Sequence, residues 1–313
     1  MKKNKIEGVK PFNDFFFKSC YHQQLIAGIA SFGIDRDAIL LNSFVLIQNN
    51  FDVKKEDFIN EKKIEKLLGY KRVHCNINKS KLVRCIDKGQ PVIVGIDSYY
   101  LESRPDTYQM HHLLHFLLAY GYNLETGEAN VIDHRYQNSY EYLEKVISMD
   151  NLLEANKRLR EGVLKRKRSC YILKRRKDAK AFDIWKYLSE EKIIGNRIHS
   201  SENLEHLRKM LTGELNAVRE NIEKLTNYVE SMKVFYYRLS KTQIFASNQD
   251  GLEKITALAG AYSNLLALFW KVKAQNNYDY ITKRQENVLR KIDEIEMLEK
   301  SVYETLLEAG KCK

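Results

Sequence analysis

The sequence predicts an α+β domain in residues 1–180 and an α-helical domain in residues 181–313. Three observations support this division. Short helical patterns and strand-like runs alternate in the first part of the chain, which also contains all three prolines. After about residue 181, apolar residues recur at steps of three and four, the spacing of one face of a helix. A chain of 313 residues, 44% of them hydrophobic, is also long and apolar enough to bury a sizeable core.

In the first domain, the stretch CYHQQLIAGIASFG at 20–33 has apolar residues at helical spacing and ends on Gly33, which suits a helix C terminus. The stretch EKKIEKLLGY at 61–70 repeats this pattern. The apolar runs KGQPVIVGI, LHFLLAYGY and EANVID, at 88–96, 114–122 and 128–133, predict buried strands. We expect the last two to form a hairpin whose turn contains Gly127.

In the second domain, the helical spacing forms three apolar stripes. The stripe at 204–232 predicts one long amphipathic helix that begins at the cap-like sequence SSEN, residues 200–203. Further stripes at 252–269 and 288–306 each predict another helix. Together they indicate a helical bundle or an antiparallel helical array.

The net charge of +11 is concentrated in residues 157–180, which hold twelve Lys or Arg and two acidic residues. A local basic region of this kind favours an acidic partner. A basic nucleic-acid-binding or scaffold protein is a weaker alternative, because only Tyr171 lies among these charges and no recognition-helix motif is present. The absence of an apolar run of about 18 residues and of a signal-peptide pattern predicts a cytoplasmic protein with no membrane partner.

The five cysteines include no CxxC pair, so their spacing fits neither a disulfide framework nor a zinc ribbon. Cys20 differs from the others because it lies at the start of the first predicted helix. Amide groups and a partial positive charge at a helix N terminus lower the pKa of a thiol and can also bind an oxyanion. Cys20 is therefore a candidate nucleophile; the alternative is that it packs as a small core residue.

A base and a carboxylate are predicted to meet at one end of the hairpin. His115 begins its first strand and Asp133 closes its second, and these two positions are adjacent in an antiparallel pair. A carboxylate in that place can hold an imidazole in the tautomer that accepts a proton. With Cys20, the chain order Cys, His, Asp is that of a papain-like triad.

Metal binding is the other interpretation of the histidines near this hairpin, His111, His112 and His115. In a strand, ligands four residues apart are about 13 Å apart. The Glu that follows the first His in a metalloprotease helix is also missing from this segment. We therefore expect no metal here, and we expect His111 and His112 to line the entrance of the site.

The segments SCYHQQLIAGIASFG, GQPVIVGIDSYYLES and HHLLHFLLAYGYNLETGEANVIDH resemble the N-terminal domain of the butirosin biosynthesis protein H family. More widely, they are similar to papain-like peptidases that process bacteriocins. The resemblance covers about residues 10–180. It implies a papain-like cysteine peptidase fold, in which the helix that carries Cys20 packs on an antiparallel sheet. It also implies that Cys20 is the nucleophile, His115 the general base and Asp133 the orienting carboxylate, and that the substrate channel is flanked by Asp97, Tyr99 and Tyr100.

The resemblance implies an acyltransferase that moves an acyl or peptidyl chain from the phosphopantetheine arm of a carrier protein, through acyl-Cys20, to a small amine. No cofactor of its own is implied. Within the family, the chain is most similar to the amide synthetases of the closthioamide pathway, which join a poly-β-alanyl chain to a diamine. The alternative is a cysteine peptidase or amidase that uses water as the acceptor.

The chain departs from the processing peptidases at the oxyanion hole. Their Gln is replaced by Asp14, preceded by Asn13, and the Gly after their Cys is replaced by Tyr21. An aspartate would repel an oxyanion, so Asn13 or backbone amides are expected to stabilise it. These departures make peptide hydrolysis a weaker expectation than acyl transfer.

Two further expectations concern partners. The basic region is expected to bind the acidic carrier protein, because opposite potentials speed and orient association; the residues concerned are Arg166, Arg168, Arg175 and Arg176. The alternative is that the basic region is an ordinary solvent-exposed face beside the strand SCYILKR. The C-terminal helices could form a homodimer, and their aromatic cluster at 235–237 either lines a tunnel for the acyl chain or packs as interhelical core.

Overall fold

The structure is a computed structural model that describes residues 3–13, 20–34, 65–66, 68–135, 141–177, 190–213 and 215–311. These residues form two compact units, one within residues 1–36 and 59–182 and the other within 183–313. The predicted boundary between residues 180 and 181 lies outside the described residues and stays a prediction, as does most of the helix predicted at 61–70.

The first unit combines an antiparallel sheet with helices. Its helices are α1 (Cys20–Ala30), α2 (Lys79–Asp87) and α3 (Met149–Glu161), and a short 3-10 helix spans Ser98–Tyr100. Its strands are β1 (Lys3–Lys5), β2 (Tyr70–His74), β3 (Val92–Asp97), β4 (Leu114–Asn123), β5 (Glu128–His134), β6 (Tyr142–Ser148) and β7 (Cys170–Arg175). The strand order is β2-β7-β3-β4-β5-β6, and β1 pairs with β4. The predicted strands and hairpin are confirmed, and so is the α+β class of this region.

Helices cover both faces of the sheet. Leu117 of β4 packs in a core cluster with residues of α2 and α3. The next residue, Leu118, faces the other side, because successive side chains of a strand alternate. There Gly28 of α1 lies so close that an added Cβ would be 2.3 Å from the Leu173 side chain and 3.2 Å from that of Leu118. This close approach fixes α1, and therefore Cys20, against the sheet.

The strand register brings four chain segments together at one end of the sheet. Asp97, the last residue of β3, pairs with Leu114, the first residue of β4. β7 begins beside the same part of β3, where Cys170 pairs with Val94. β5 runs antiparallel to β4, so its C-terminal residue His134 also lies at this end.

The second unit is helical. Its helices are α4 (Glu190–Gly213), α5 (Leu215–Leu239), α6 (Gln243–Ala246), α7 (Gln249–Gln275), α8 (Asp279–Thr282) and α9 (Gln285–Lys311). Among the long helices, α5 packs on α7, α7 on α9, α9 on α4 and α4 on α5. The helical class of the C-terminal region is therefore confirmed.

The prediction of one long helix beginning at SSEN is wrong. The helix begins by Glu190, and the apolar stripe is divided between α4 and α5. Ser200 and Ser201 are not caps, because their hydroxyls donate to Glu299 (2.5 Å) and Glu296 (3.0 Å) of α9. The stripe continues across the break because both helices turn their apolar faces towards the same core.

The aromatic cluster at 235–237 belongs mainly to the interhelical core. Phe235 and Tyr236 are buried, whereas Tyr237 is half exposed. The Tyr236 ring stacks on Tyr262 with ring centroids 5.7 Å apart. We therefore favour the core interpretation of these residues over the tunnel.

One helix of the described residues, α7, is long and apolar enough to cross a membrane by length and composition. Many of its apolar residues, among them Ile255, Leu258, Leu265 and Phe269, are buried within the helical unit. Since α7 packs on both α5 and α9, its apolar character is that of a core helix.

A carboxyl group is buried at the centre of the helical unit. Glu299 accepts hydrogen bonds from the hydroxyls of Ser200 (2.5 Å), Tyr262 (2.7 Å) and Tyr236 (2.9 Å). Burial raises the pKa of Glu299, and the nearby charge of Glu296 raises it further. The three hydroxyls lower it, but the balance is a raised pKa.

Replacement of Glu299 by Gln should therefore stabilise the protein at high pH. The folded state of the wild type binds a proton at Glu299 more tightly than the unfolded state does, so its stability falls as pH rises through the folded pKa. Denaturant unfolding followed by circular dichroism at pH 5 and pH 8 should show this. The gain at pH 8 should be on the order of 1 kcal/mol for each unit of pKa shift, with a smaller gain at pH 5.

Asp293→Asn is the matched control, because Asp293 is exposed and paired with Arg208 at 2.7 Å. It should give no such gain at pH 8. Equal pH dependence in the wild type and Glu299→Gln would contradict the prediction.

Candidate active site

Cys20 is the first residue of α1 and is partly buried. Burial raises the pKa of its thiol, but the hydrogen bond and charge of His115 and the backbone N–H groups of Phe116 and Tyr21 lower it, and the balance is a lowered pKa. Burial has the opposite net result at the other described cysteines, since it raises the pKa of Cys75, Cys85 and Cys170. Among the described cysteines, Cys20 is thus the one that the protein prepares as a thiolate.

His115 and Asp133 form the predicted pair at the end of the β4–β5 hairpin. The Nε2 atom of His115 lies 2.6 Å from Oδ1 of Asp133, and both side chains are buried. Burial lowers the pKa of His115, but the hydrogen bonds and charges of Asp133 and Cys20 outweigh it and raise that pKa to about 9. Because Nε2 faces Asp133, Nδ1 is the ring nitrogen left for the Cys20 thiol. The two shifts together favour a thiolate beside an imidazolium.

Arg104 is a buried part of this site that the sequence did not reveal. Its Nη1 lies 3.3 Å from Oδ1 of Asp133 and 3.0 Å from Nε2 of His115. Its Nε and Nη2 donate to the two carboxylate oxygens of Asp106, at 3.0 and 2.8 Å. Arginine can only donate hydrogen bonds, so the proton on Nε2 of His115 has the Asp133 carboxylate as its acceptor.

Lys145 of β6 was also missed. Its Nζ donates to Oδ2 of Asp133 at 2.8 Å and to the backbone carbonyl of His134. Burial raises the pKa of Asp133, but His115, Lys145 and Arg104 together lower it well below its usual range. Asp133 consequently stays charged and holds the His115 ring in one orientation.

Asn13 contacts the strand beside the site. Its Oδ1 accepts from the backbone N–H of Tyr142 at 2.8 Å, and its Nδ2 donates to the Tyr142 carbonyl at 3.2 Å. Burial and the charge of Cys20 raise the pKa of Tyr142, so its phenol keeps its proton near the thiolate. The Asn13 amide therefore anchors β6, and an oxyanion role for it stays a prediction. Asp14 lies outside the described residues.

Tyr142 also takes part in a short stack of rings. The His134 ring lies 4.2 Å from the Tyr142 ring and 5.5 Å from the His115 ring, measured between centroids. Burial and the charges of His115 and Arg104 lower the pKa of His134 to about 4. His134 is thus a neutral neighbour that packs against the base.

Tyr21 makes contacts through its phenol, its ring and its backbone N–H. Its phenol accepts a hydrogen bond from Arg72 at 2.7 Å, and its ring packs edge-on against Phe116 and Tyr171. Its backbone N–H contacts the sulfur of Cys20. The side chain is thus held by its neighbours, and an auxiliary role in oxyanion binding stays a prediction for Tyr21.

A second pair of histidine and carboxylate lies at the same end of the sheet. Nδ1 of His112 is 2.7 Å from Oδ2 of Asp97, whose Oδ1 accepts from the backbone N–H of Tyr99 at 3.2 Å. The His112 ring stacks on Tyr99 with centroids 4.2 Å apart and lies 5.8 Å from Tyr100. The structure therefore brings four of the residues predicted to bind substrate into one cluster.

The three histidines near the hairpin have separate surroundings. His115 pairs with Asp133 and His112 with Asp97, while His111 is exposed. Within the described ranges, no group of three His, Cys, Asp or Glu residues is arranged to hold a metal ion.

The arginines of the basic region are mostly exposed. Arg166, Arg168 and Arg175 are exposed, whereas Arg176 is partly buried. In the part of the chain that the structure describes, the first three form no ion pair. The loop that carries Arg166 and Arg168 ends at Ser169, whose carbonyl accepts from the Gly95 N–H at 2.7 Å. These two arginines thus precede β7 at the sheet end that carries His115.

A cysteine whose thiol pKa is lowered at a helix N terminus, beside a histidine held by a buried carboxylate, is the arrangement of a nucleophilic cysteine and its base. Residues 59–134 match the model of one family, described as butirosin biosynthesis protein H, N-terminal. This is an acyltransferase-like biosynthetic domain, consistent with an acyltransferase role for the chain. The match includes His115 and Asp133, begins after Cys20 and supports a relationship of this segment to the family. No curated protein matches the chain.

Loss of the Asp133 charge should raise the pKa of the Cys20 thiol. In Asp133→Asn the imidazolium loses its anionic partner, so the thiolate loses its cation. Alkylation of Cys20 by iodoacetamide at pH 7 should slow about tenfold or more, since one pKa unit changes the thiolate fraction tenfold. The rate is measured by mass spectrometry, with Cys20→Ala as the background.

Asp106→Asn is the matched control, since Asp106 binds the other side of Arg104. Its alkylation rate should remain close to that of the wild type. If the alkylation rate has the same pH profile in Asp133→Asn and the wild type, Asp133 does not stabilise the ion pair of Cys20 and His115.

Proposed function

We propose that this protein is a cysteine-dependent acyltransferase that forms an amide by moving an acyl chain from a thioester to a small amine. The observation that carries this proposal is the interaction of Cys20 with His115, in which the thiol pKa is lowered and the imidazole pKa is raised. The coarse acyltransferase role agrees with the family match. The helix that carries Cys20 packs on an antiparallel sheet, which supports the papain-like fold as part of the proposal.

The first half-reaction forms an acyl-enzyme. The Cys20 thiolate attacks the thioester carbonyl, and the tetrahedral intermediate expels the donor thiolate, which takes the proton from Nδ1 of His115. In the second half-reaction an amine attacks acyl-Cys20. Nδ1 of neutral His115 accepts a proton from the amine, and Cys20 leaves as a thiolate. Throughout, the Nε2–H group of His115 donates to Asp133.

The oxyanion donors in this scheme are backbone amides near the sulfur. The N–H groups of Tyr21 and Phe116 stabilise the charge of the Cys20 thiolate in the resting state. Once the sulfur is acylated its charge is gone, and these donors become available to the substrate oxygen. Asn13 and the Tyr142 phenol are additional candidates close to the same position.

The donor that we favour is an acyl or peptidyl chain on the phosphopantetheine arm of a carrier protein. Arg166 and Arg168 are exposed at the sheet end that holds the site, where an acidic carrier protein could bind and deliver its arm. A poly-β-alanyl chain and a diamine, as in the closthioamide type, are the specific substrates we propose. The protein would need no cofactor of its own, and dimer formation through the helical unit stays a prediction.

Intact-protein mass spectrometry tests the acyl-enzyme. After incubation with an acyl N-acetylcysteamine thioester, the wild type should gain the mass of one acyl group, and Cys20→Ala should gain none. His115→Asn should acylate at least a hundredfold more slowly, which is the size of a general-base effect.

Cys85→Ala is the matched control, because burial raises the pKa of the Cys85 thiol. It should acylate like the wild type. Addition of a diamine should then release the amide. Release of the free acid alone would favour the peptidase or amidase, and an acyl group on any residue other than Cys20 would refute the proposed nucleophile.

Charge reversal of Arg166 and Arg168 tests whether the loop that carries them binds a carrier protein. Arg166→Glu/Arg168→Glu should raise KM for a carrier-bound thioester several-fold and leave the rate with the N-acetylcysteamine thioester unchanged. Added salt should have the same selective effect, because the Debye length is only about 8 Å at 0.15 M ionic strength.

The control reverses two lysines of α7, Lys271→Glu/Lys273→Glu, and so changes the net charge equally. It should leave KM unchanged for both substrates. If the arginine variant slows both substrates alike, the loop has a structural role and does not bind the carrier protein.

A further inference from the structure

Amide formation from an alkylamine releases more protons than His115 can accept, and this argument rests on the acyltransferase proposed above. A primary alkylamine has a pKa near that of lysine, about 10.4, so on the order of one molecule in a thousand is neutral at pH 7. The reaction of acyl-Cys20 with R–NH3⁺ gives the amide, the Cys20 thiolate and two protons. One proton returns His115 to its resting imidazolium. The other needs a second acceptor.

Asp133 is not suited to be that acceptor. It is fully buried and already accepts from His115, Arg104 and Lys145. Two of these partners are permanent cations at neutral pH, so protonation of Asp133 would leave buried positive charge without its counterion. His134 is partly buried, and its pKa is lowered to about 4.

His112 has the geometry of a base. Its Nδ1 lies 2.7 Å from the buried Asp97 carboxylate, which fixes the proton on Nδ1 and leaves the Nε2 lone pair free to accept. Stacking on Tyr99, with the rings inclined by only 13°, holds the imidazole plane. The His112 side chain is 31% exposed, so a proton that it accepts can pass to solvent.

The two histidine–carboxylate pairs stand on neighbouring positions of the sheet. Ile96 pairs with His115, and the next residue, Asp97, pairs with Leu114. One step along a strand is about 3.3 Å, so the backbone positions that carry the two pairs lie at the same sheet end. His115 is buried, whereas His112 lies in the partly exposed segment just before β4.

We propose that His112, held by Asp97 and stacked on Tyr99, is a second catalytic base that deprotonates the incoming alkylammonium. Nε2 of His112 takes one proton from R–NH3⁺ to give R–NH2 and an imidazolium, which returns the proton to solvent. The neutral amine then attacks acyl-Cys20, and Nδ1 of His115 takes the second proton as the C–N bond forms and the C–S bond breaks. The site can thus use amines that arrive as cations.

The experiment compares two nucleophiles on preformed acyl-Cys20. The protein is acylated with an N-acetylcysteamine thioester, desalted and mixed at pH 7 with propylamine or with hydroxylamine, and loss of the acyl group is followed by mass spectrometry. Propylamine is almost entirely protonated at this pH, whereas hydroxylamine is a much weaker base and is largely neutral. His112→Gln should slow propylamine at least a hundredfold, the lower limit for a general base. It should change the hydroxylamine rate by less than about threefold, because that nucleophile needs only His115.

His74→Gln is the matched control, since His74 is an exposed residue of the same type on the edge strand β2. It should leave both rates unchanged. Added imidazole should restore the propylamine rate of His112→Ala, which a purely structural role would not allow.

The outcomes separate the two proposals. If Cys20 does not become acylated, the acyltransferase itself is refuted, whatever His112 does. If Cys20 is acylated and His112→Gln slows both nucleophiles equally, or neither, His112 is not the base that deprotonates the amine. The hydroxylamine rate also shows that the variant is folded and that its Cys20–His115 pair is intact.

Discussion

The buried negative charge of Asp133 is the constraint on which the arrangement of the site depends. An isolated carboxylate inside a protein is costly, and it is tolerated only when it is paired and hydrogen-bonded. Here β4 supplies His115, β6 supplies Lys145, and the segment between β3 and β4 supplies Arg104. The carboxylate therefore joins three parts of the chain that are otherwise separate. Its charge is also the reason why the imidazole between it and the sulfur can stay protonated.

The lowered pKa of the Cys20 thiol also depends on the charge of Asp133, because that charge helps to keep His115 protonated beside the sulfur. Burial alone would keep the thiol neutral, as it does at Cys170, whose pKa is raised to about 12. At Cys20 the imidazolium and two backbone N–H groups reverse the balance. The helix can bring the sulfur this close because Gly28 lets α1 approach Leu118 and Leu173. Packing of one helix on the sheet thus decides whether this cysteine is reactive.

The sequence by itself determined the first helix, the three central strands and the meeting of His115 with Asp133. Alternating and continuous apolar runs predicted β3, β4 and β5, and Gly127 predicted the turn that places His115 and Asp133 at one end. Cys20 was predicted at a helix start from local spacing alone. Such features depend on neighbours within a few residues, so periodicity and turn chemistry are enough to predict them. The same patterns predicted the helical C-terminal region, although not the break between α4 and α5.

Only the tertiary structure decided which charged groups meet at the site. Arg104 reaches Asp133 across 29 positions, and Asp97 reaches His112 across 15, in both cases through the irregular segment between β3 and β4. The conformation of that segment is set by its own turns and by packing, and neither has a periodic signature in the sequence. Lys145 lies on a strand whose register with β5 places it beside Asp133, and that register depends on contacts made across the sheet. Local patterns therefore predicted Cys20, His115 and Asp133, and long-range packing supplied the charges that shift the pKa values of these groups.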